Sequence, residues 1–268
     1  MITAIVQARM SSTRLPGKVL KDILGRPMLC HLIERLKRSR LIQKIVVATS
    51  VKQIDRPILE AAESCGAATF AGSEDDVLDR YYQAARFFQA DPVVRITADC
   101  PLIDPRVTDQ AIAYFLANRE QIDYVCNAAP PTYPDGLDTE VFSFAALEKA
   151  WKLAAERTDR EYPTMYIFRN RGIFRVANVA NDRDVSHMRW TVDEPRDFEF
   201  VSRIYEALYE KSSGVFGMED IIAYVKANPP FALINQGIKR NEGYINSLKK
   251  ENLTIDKASL PWDLQEEK

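Results

Sequence analysis

Ile2-Thr-Ala-Ile-Val6 leads, after Gln7 and Ala8, into Arg9-Met-Ser-Ser-Thr-Arg14-Leu-Pro16-Gly17-Lys18, and then into Pro27-Met-Leu-Cys-His-Leu-Ile-Glu-Arg-Leu36. The first run predicts a buried strand. The last predicts an amphipathic helix with proline at its first position. The loop between them carries Arg9, Arg14, Lys18 and Lys21, hydroxyls at Ser11, Ser12 and Thr13, and no acid before Asp22. Such a loop after a first strand suits a polyanion, because backbone N–H groups and fixed cations can surround phosphate oxygens. Composition alone fits a solvated connection equally well. It is not a Walker A loop, since Val19 follows Gly17-Lys18, and no G-x-G-x-x-G follows the strand.

Outward from this stretch the chain alternates. Strand-like runs fall at 2–6, 44–49, 67–71, 93–97 and 123–127, with helical patterns at 27–39, 55–65, 76–89 and 105–118. This alternation predicts an α/β domain with a mostly parallel sheet covered on both faces. Ligands then belong beyond the carboxyl ends of the strands. The second half departs from that rhythm. A proline-rich excursion at 130–134 precedes a strand from Asp138 and a helix over 145–155. Residues 158–170 read as helix, 173–180 and 187–192 as strands, and 195–209 as helix. The expected organisation is one domain over 1–235, with a nucleotide-binding half over 1–127 and an insertion over 128–192, then a partly irregular extension over 236–268 that includes Trp262.

With 268 residues, 46% hydrophobic and 28% charged, a large core is available and disorder is not expected. A net charge of −2 argues against nucleic-acid binding. No apolar run is long enough to span a membrane, and no leader precedes the first strand. Cys30, Cys65, Cys100 and Cys126 are widely spaced, so zinc and disulfides are not expected and a reducing cytoplasm fits. Of the two histidines, His31 reads as helix packing and His187 as structural.

Three segments together carry a family resemblance. Ala8-Arg9 with Ser12, Arg14-Leu-Pro-Gly-Lys18 and Leu20 resembles the opening of bacterial sugar nucleotidyltransferases. The pattern is nearest CMP-3-deoxy-manno-octulosonate synthetase, the acylneuraminate cytidylyltransferases and the spore-coat polysaccharide cytidylyltransferase-like family. Arg95-Ile-Thr97-Ala-Asp99-Cys-Pro101 resembles the family's metal carboxylate segment, with Ala98 in place of glycine. Thr191-Val-Asp193-Glu-Pro195-Arg-Asp197 resembles its Thr-Val-Asp-x-Pro-x-Asp pattern.

The resemblance implies a GT-A-like fold and Mg²⁺-dependent transfer of CMP from CTP, with pyrophosphate released. Lys18, Arg9 and Arg14 then neutralise the triphosphate, and Asp99 and Asp193 hold Mg²⁺. Ala8, Ser12, Thr13, Ser73, Asp76, Arg80 and Thr97 bind the nucleotide. Tyr133, Asp138, Glu140, Arg160, Glu161 and Arg189 face a small-molecule acceptor, either a sugar acid or a phosphorylated compound, and the chain forms a homodimer. Each role has a plainer counterpart. Ser73 with Asp76 is an ordinary capping arrangement, Asp104 before Pro105 fits a helix cap, and Asp197 fits the first turn of a helix. Arg160 fits a surface ion pair with Glu156 or Glu161, and Tyr162 stands where the family pattern carries histidine. A GT-A glycosyltransferase and a non-catalytic nucleotide-binding protein remain the alternatives.

Overall fold

The computed structural model describes residues 1–212, 214–238, 240, 242 and 245. Its first half contains β1 (Thr3–Gln7), a hairpin of β2 (Asp22–Ile23) and β3 (Arg26–Pro27), then α1 (Met28–Leu36) and β4 (Lys44–Ser50). After these come α2 (Arg56–Ser64), β5 (Ala68–Gly72), α3 (Val77–Phe87), β6 (Val93–Thr97), α4 (Pro105–Ala117) and β7 (Tyr124–Cys126). The second half adds β8 (Glu140–Phe142), α5 (Phe144–Leu153), α6 (Arg157–Glu161), α7 (Met165–Arg169) and β9 (Val176–Asn178). Two longer helices follow, α8 (Pro195–Leu208) and α9 (Met218–Ala227).

The main sheet has the order β5-β4-β1-β6-β8-β7-β9. β1 lies parallel between β4 and β6, and β4 pairs in parallel with β5. β8 runs antiparallel to both β6 and β7, so the sheet is mixed at the side built by the second half. Strand order turns at β1, where the chain builds outward to β4 and β5 and then returns to β6. The crevice beyond the ends of β1 and β6 is therefore the binding position this topology favours.

Alternation along β1 divides the core. Ala4 and Val6 pack against α1, α2 and α4, while Ile5 faces α3, α5 and α7. A third cluster joins Leu15 and Ile23 of the N-terminal segment to Trp190, Val192 and the inner faces of α8 and α9. That cluster fastens the first loop to the 190s. Helix α1 has no side-chain cap at Pro27, a deficit of about 1 kcal/mol. It buries Leu29, Leu32, Ile33 and Leu36, each contributing about 1.5–3 kcal/mol, so packing decides its placement.

Several elements differ from the sequence reading. Pro27 belongs to β3, and α1 begins one residue later, because the chain turns back through Leu24 and Gly25 before entering the helix. Residues 158–170 form two short helices, since Pro163 between them removes a donor and clashes with the preceding turn. Residues 187–192 make a single bridge to Asp135 rather than a strand, threading between two loops. Helix α9 was not expected. Cys30 and Cys65 form a disulfide, with Cα atoms 5.7 Å apart. The packing of α1 on α2 supplies a proximity that 35 intervening positions conceal. Cysteine usage therefore no longer argues for a reducing compartment. Cys100 and Cys126 are buried thiols. Among the described residues no helix is long and apolar enough to cross a membrane. Trp262 and most of the 236–268 extension lie outside the described residues.

Gly136 is where the insertion meets the 190s. Its φ is 114°, and a Cβ there would stand 2.6 Å from Thr191 N and 2.7 Å from the Trp190 carbonyl carbon. Gly136→Ala is expected to destabilise the fold by about 2–4 kcal/mol through strain and overlap. Thermal unfolding checks this, and an unchanged midpoint would show that the contact relaxes freely.

Candidate active site

β1 delivers the chain to the crevice, and a buried acid sets the loop that follows. The Asp55 carboxylate, at the start of α2, accepts the Met10 N–H at 2.7 Å and the Ser50 hydroxyl. The loop then closes on itself through Gly17 N–H to the Met10 carbonyl at 3.0 Å. Gly17 sits at φ 68°, a left-handed conformation that glycine adopts without penalty. The short 3-10 turn that follows turns Lys18 inward. The Ser12 hydroxyl accepts the Leu15 N–H, while Thr13, Arg9 and Arg14 face solvent.

Lys18 is buried, and its ammonium is fully engaged. It donates to Asp99 Oδ2 at 2.8 Å, to Asp193 Oδ1 at 2.9 Å and to the Val192 carbonyl at 2.7 Å. The two acids come from residues almost a hundred positions apart, and they meet here. Their oxygens can be no further apart than the sum of those two distances. The meeting is enforced by backbone, since Val192 N–H donates to the Asp99 carbonyl at 2.8 Å. Burial opposes the charge on Lys18, but Asp99 and Asp193 outweigh it and raise its pKa. Burial likewise opposes ionisation of Asp99, and the Lys18 charge and hydrogen bond override it, holding the carboxyl below the usual range. Lys18 is thus clasped by acids rather than presented to solvent.

Around this clasp Arg189 forms a hub. Its guanidinium donates to Asp135 at 2.8 Å, to Asp193 at 3.0 Å, and through Nε to Asp197 at 2.9 Å. Asp197 also accepts the N–H groups of Asp193 and Glu194, so it caps α8 while orienting Arg189. Arg14 reaches Asp193 at 3.1 Å from the other side. Asp193 therefore touches three cations.

A cavity of 310 Å³ opens beside the clasp. Of the residues singled out in the sequence, Arg9, Arg14, Thr97, Asp99, Asp138, Glu140, Tyr162, Arg189 and Asp193 line it. Glu140 on β8 faces Arg95 on β6 in register, and the two form an ion pair of 3.0 Å. Burial opposes the Arg95 charge, and Glu140 more than restores it, raising its pKa.

The others stand elsewhere. Ala8 is buried in the turn out of β1. The Ser73 and Asp76 side chains accept backbone N–H groups at the start of α3. Asp76 also receives the Arg160 guanidinium, which bonds the Trp151 and Ala154 carbonyls as well. Tyr133 is buried and donates to Gln110, and Glu161 lies on α6 away from the lining. Arg80 is 1% exposed and donates to the Ser73 carbonyl, while its Nε and Nη2 have no partner. Burial and then Tyr81 and Arg9 set its pKa, with burial and Arg9 lowering it.

Sequence reasoning missed Asp135, whose only signal was the Pro-Asp-Gly turn that holds it. It also missed Arg95, Tyr124 and Thr164 in the lining. It missed Arg240, which pairs with Asp138 at 2.5 Å, and Glu242, which pairs with Arg14 at 3.5 Å. Both lie in the extension, and no local pattern links them to the crevice.

A mixed sheet with an acid pair and guanidinium groups beyond its central strands is the layout of a nucleotidyltransferase. Comparison with known proteins gives the family. A family model described as Cytidylyltransferase matches residues 3–231. The spore coat polysaccharide biosynthesis protein SpsF of Bacillus subtilis is 32% identical over 239 residues, covering 86% of this chain and 96% of that protein. A 3-deoxy-manno-octulosonate cytidylyltransferase of Trichlorobacter lovleyi is 40% identical over 119 residues, covering 44% of this chain and 46% of that enzyme. The structure of a cytidylyltransferase from Leptospira borgpetersenii superposes with a TM-score of 0.84 at 34% identity, covering 89% of this chain and 99% of that one. The chain belongs to the cytidylyltransferase family.

Burial opposes the charge on Asp197, but hydrogen bonds from Arg189 overcome it and depress its pKa below the ordinary 3.8. A depressed carboxylate stabilises the fold above its unfolded pKa, and that stability is lost as pH falls through the folded value. Asp197→Asn should cost about 3 kcal/mol at pH 7, as expected when a buried pair loses one partner. The gap between the two proteins should narrow by pH 3. Urea melts at both pH values test this, and a gap of equal size at each would contradict it.

Proposed function

We propose that this enzyme transfers CMP from CTP to an oxygen of a sugar acid or phosphorylated acceptor, releasing pyrophosphate, in the synthesis of a surface polysaccharide or glycoconjugate. The reading is supported by the names of the Bacillus and Trichlorobacter relatives. The observation that carries it is the meeting of Asp99 and Asp193 on Lys18 at the mouth of the cavity. Two carboxylates, with no third ligand arranged round one point among the described residues, fit Mg²⁺. That ion takes one or two protein carboxylates and completes its shell with waters and phosphate oxygens.

Asp99 and Asp193 would hold this ion, which supplies charge neutralisation at the α-phosphate and orients the attacking oxygen. Lys18 keeps the two acids together in the free enzyme. With those carboxylates engaged by the ion, the Lys18 ammonium would be available to the phosphates. Arg9 and Arg14, on the solvent side, neutralise the triphosphate, and Thr97 borders it. The unpartnered nitrogens of Arg80, close to Ser73 and Asp76, are suited to the nucleoside. Asp138, Glu140 and Arg189 orient the acceptor from the second half. Little covalent participation is required, and positioning with charge neutralisation carries the reaction.

Pyrophosphate release from CTP and Mg²⁺ with a panel of acid sugars and phosphorylated polyols is the direct assay. Lys18→Ala should lower turnover at least ~100-fold, the scale of losing a preorganised electrostatic contact. Near-normal release by that variant would remove Lys18 from the mechanism. Asp193→Asn and chelation with EDTA should each abolish release, and activity surviving EDTA would exclude the metal.

A further inference from the structure

A second cavity, of 620 Å³, shares no lining residue with the first. Arg35 borders it from the end of α1, Arg38 and Arg40 from the loop that follows, Arg106 from α4, and Val215 and Phe216 from the segment before α9. Arg35 is 3% exposed. Its Nε donates to the Ile103 carbonyl at 2.6 Å and its Nη2 to the Phe216 carbonyl at 2.9 Å. Its guanidinium lies over the Phe216 ring, 4.5 Å from the centroid. Among the described residues no carboxylate pairs with it, and the side chain beside it, Tyr205, brings no counter-charge. A guanidinium withdrawn from water without a counter-ion is costly. Two carbonyls and a ring reduce that cost but leave the charge unmatched.

The surrounding charges sharpen the point. The Arg40 and Arg106 guanidinium groups also make no ion pair among the described residues, whereas Arg38 pairs with Glu34 at 3.4 Å. Three acids border the cavity, and each has oxygens committed to holding its walls. Asp104 accepts the Arg106 and Met218 N–H groups at 2.8 and 2.6 Å. Asp109 accepts the Arg40 N–H at 2.8 Å and the Ser39 hydroxyl. Asp220 accepts the Gly217 N–H at 2.8 Å. The acids shape the cavity, and the guanidinium groups are left for something else.

We propose that this cavity binds a compact polyanion, a phosphate ester or polycarboxylate, on the guanidinium of Arg35 with Arg40 and Arg106. Planar guanidinium forks match the paired oxygens of such groups, and Leu41, Val215 and Phe216 accommodate the carbon frame. The site backs onto the catalytic segment. Ile103, whose carbonyl Arg35 holds, closes the short run that begins at Asp99.

Isothermal titration of the full chain with inorganic phosphate and with citrate tests this. At least one probe should bind, and Arg40→Ser/Arg106→Ser should weaken that binding at least ~10-fold, the scale of a lost charge-assisted contact. Both positions are exposed, so the unfolding midpoint should stay put. A matched Arg9→Ser/Arg14→Ser protein, altered only in the first cavity, should bind like the parent. The proposal is overturned if neither probe binds, if the Arg40/Arg106 variant binds as the parent does, or if binding disappears in the Arg9/Arg14 variant instead. Phosphate alone, or citrate alone, binding in the expected pattern supports the site and tells the two ligand classes apart.

Discussion

One ammonium group holds the functional end of this molecule together. Lys18 lies in the first loop, Asp99 follows the fourth parallel strand and Asp193 precedes a late helix, and each is delivered by a different part of the core. Two carboxylates this close repel each other, and at 4 Å in surroundings of intermediate polarity that repulsion approaches 4 kcal/mol. A buried cation between them reverses the sign. The hydrogen bond from Lys18 to the Val192 carbonyl adds a backbone tether, so the acids are fixed in position as well as in charge. The cost is that the lysine has no freedom of its own. It is 8% exposed and saturated with acceptors.

The rest of the site reads as support for that arrangement. Arg189 draws Asp135, Asp193 and Asp197 toward one point, and Asn235 bonds both the Arg189 carbonyl and Asp197. The loop carrying Asp135 can approach because Gly136 brings no side chain against the backbone of Trp190 and Thr191. On the other wall the antiparallel insertion of β8 between β6 and β7 sets Glu140 opposite Arg95. The parallel half of the sheet thus supplies the loops at the crevice, and the reversed strand supplies a second wall.

Much of this was legible in the residues. Strand–helix alternation over 2–118 gives the parallel half because continuous apolar runs between amphipathic helices leave few other solutions. Asp99 and Asp193 stood out because each lies in a segment that resembles a family pattern, two residues before a proline. That Lys18 would bridge them was not legible, since a cation in a basic loop looks the same whether it faces solvent or turns inward. The second half was harder. Residues 187–192 alternate as a strand does, yet their backbone partners are loop carbonyls and amides, which no periodicity encodes. The Cys30–Cys65 pairing depends on how α1 packs on α2, and the exposed-looking arginines after α1 gain meaning only beside α4.

Arg240 and Glu242 extend this dependence beyond the sheet. They lie after α9, yet one sits against Asp138 and the other against Arg14. Two residues remote in sequence from the sheet therefore set part of the charge balance around the cavity. Substitution of Arg240 or Glu242 would change the charges that Asp138 and Arg14 present there without touching a strand.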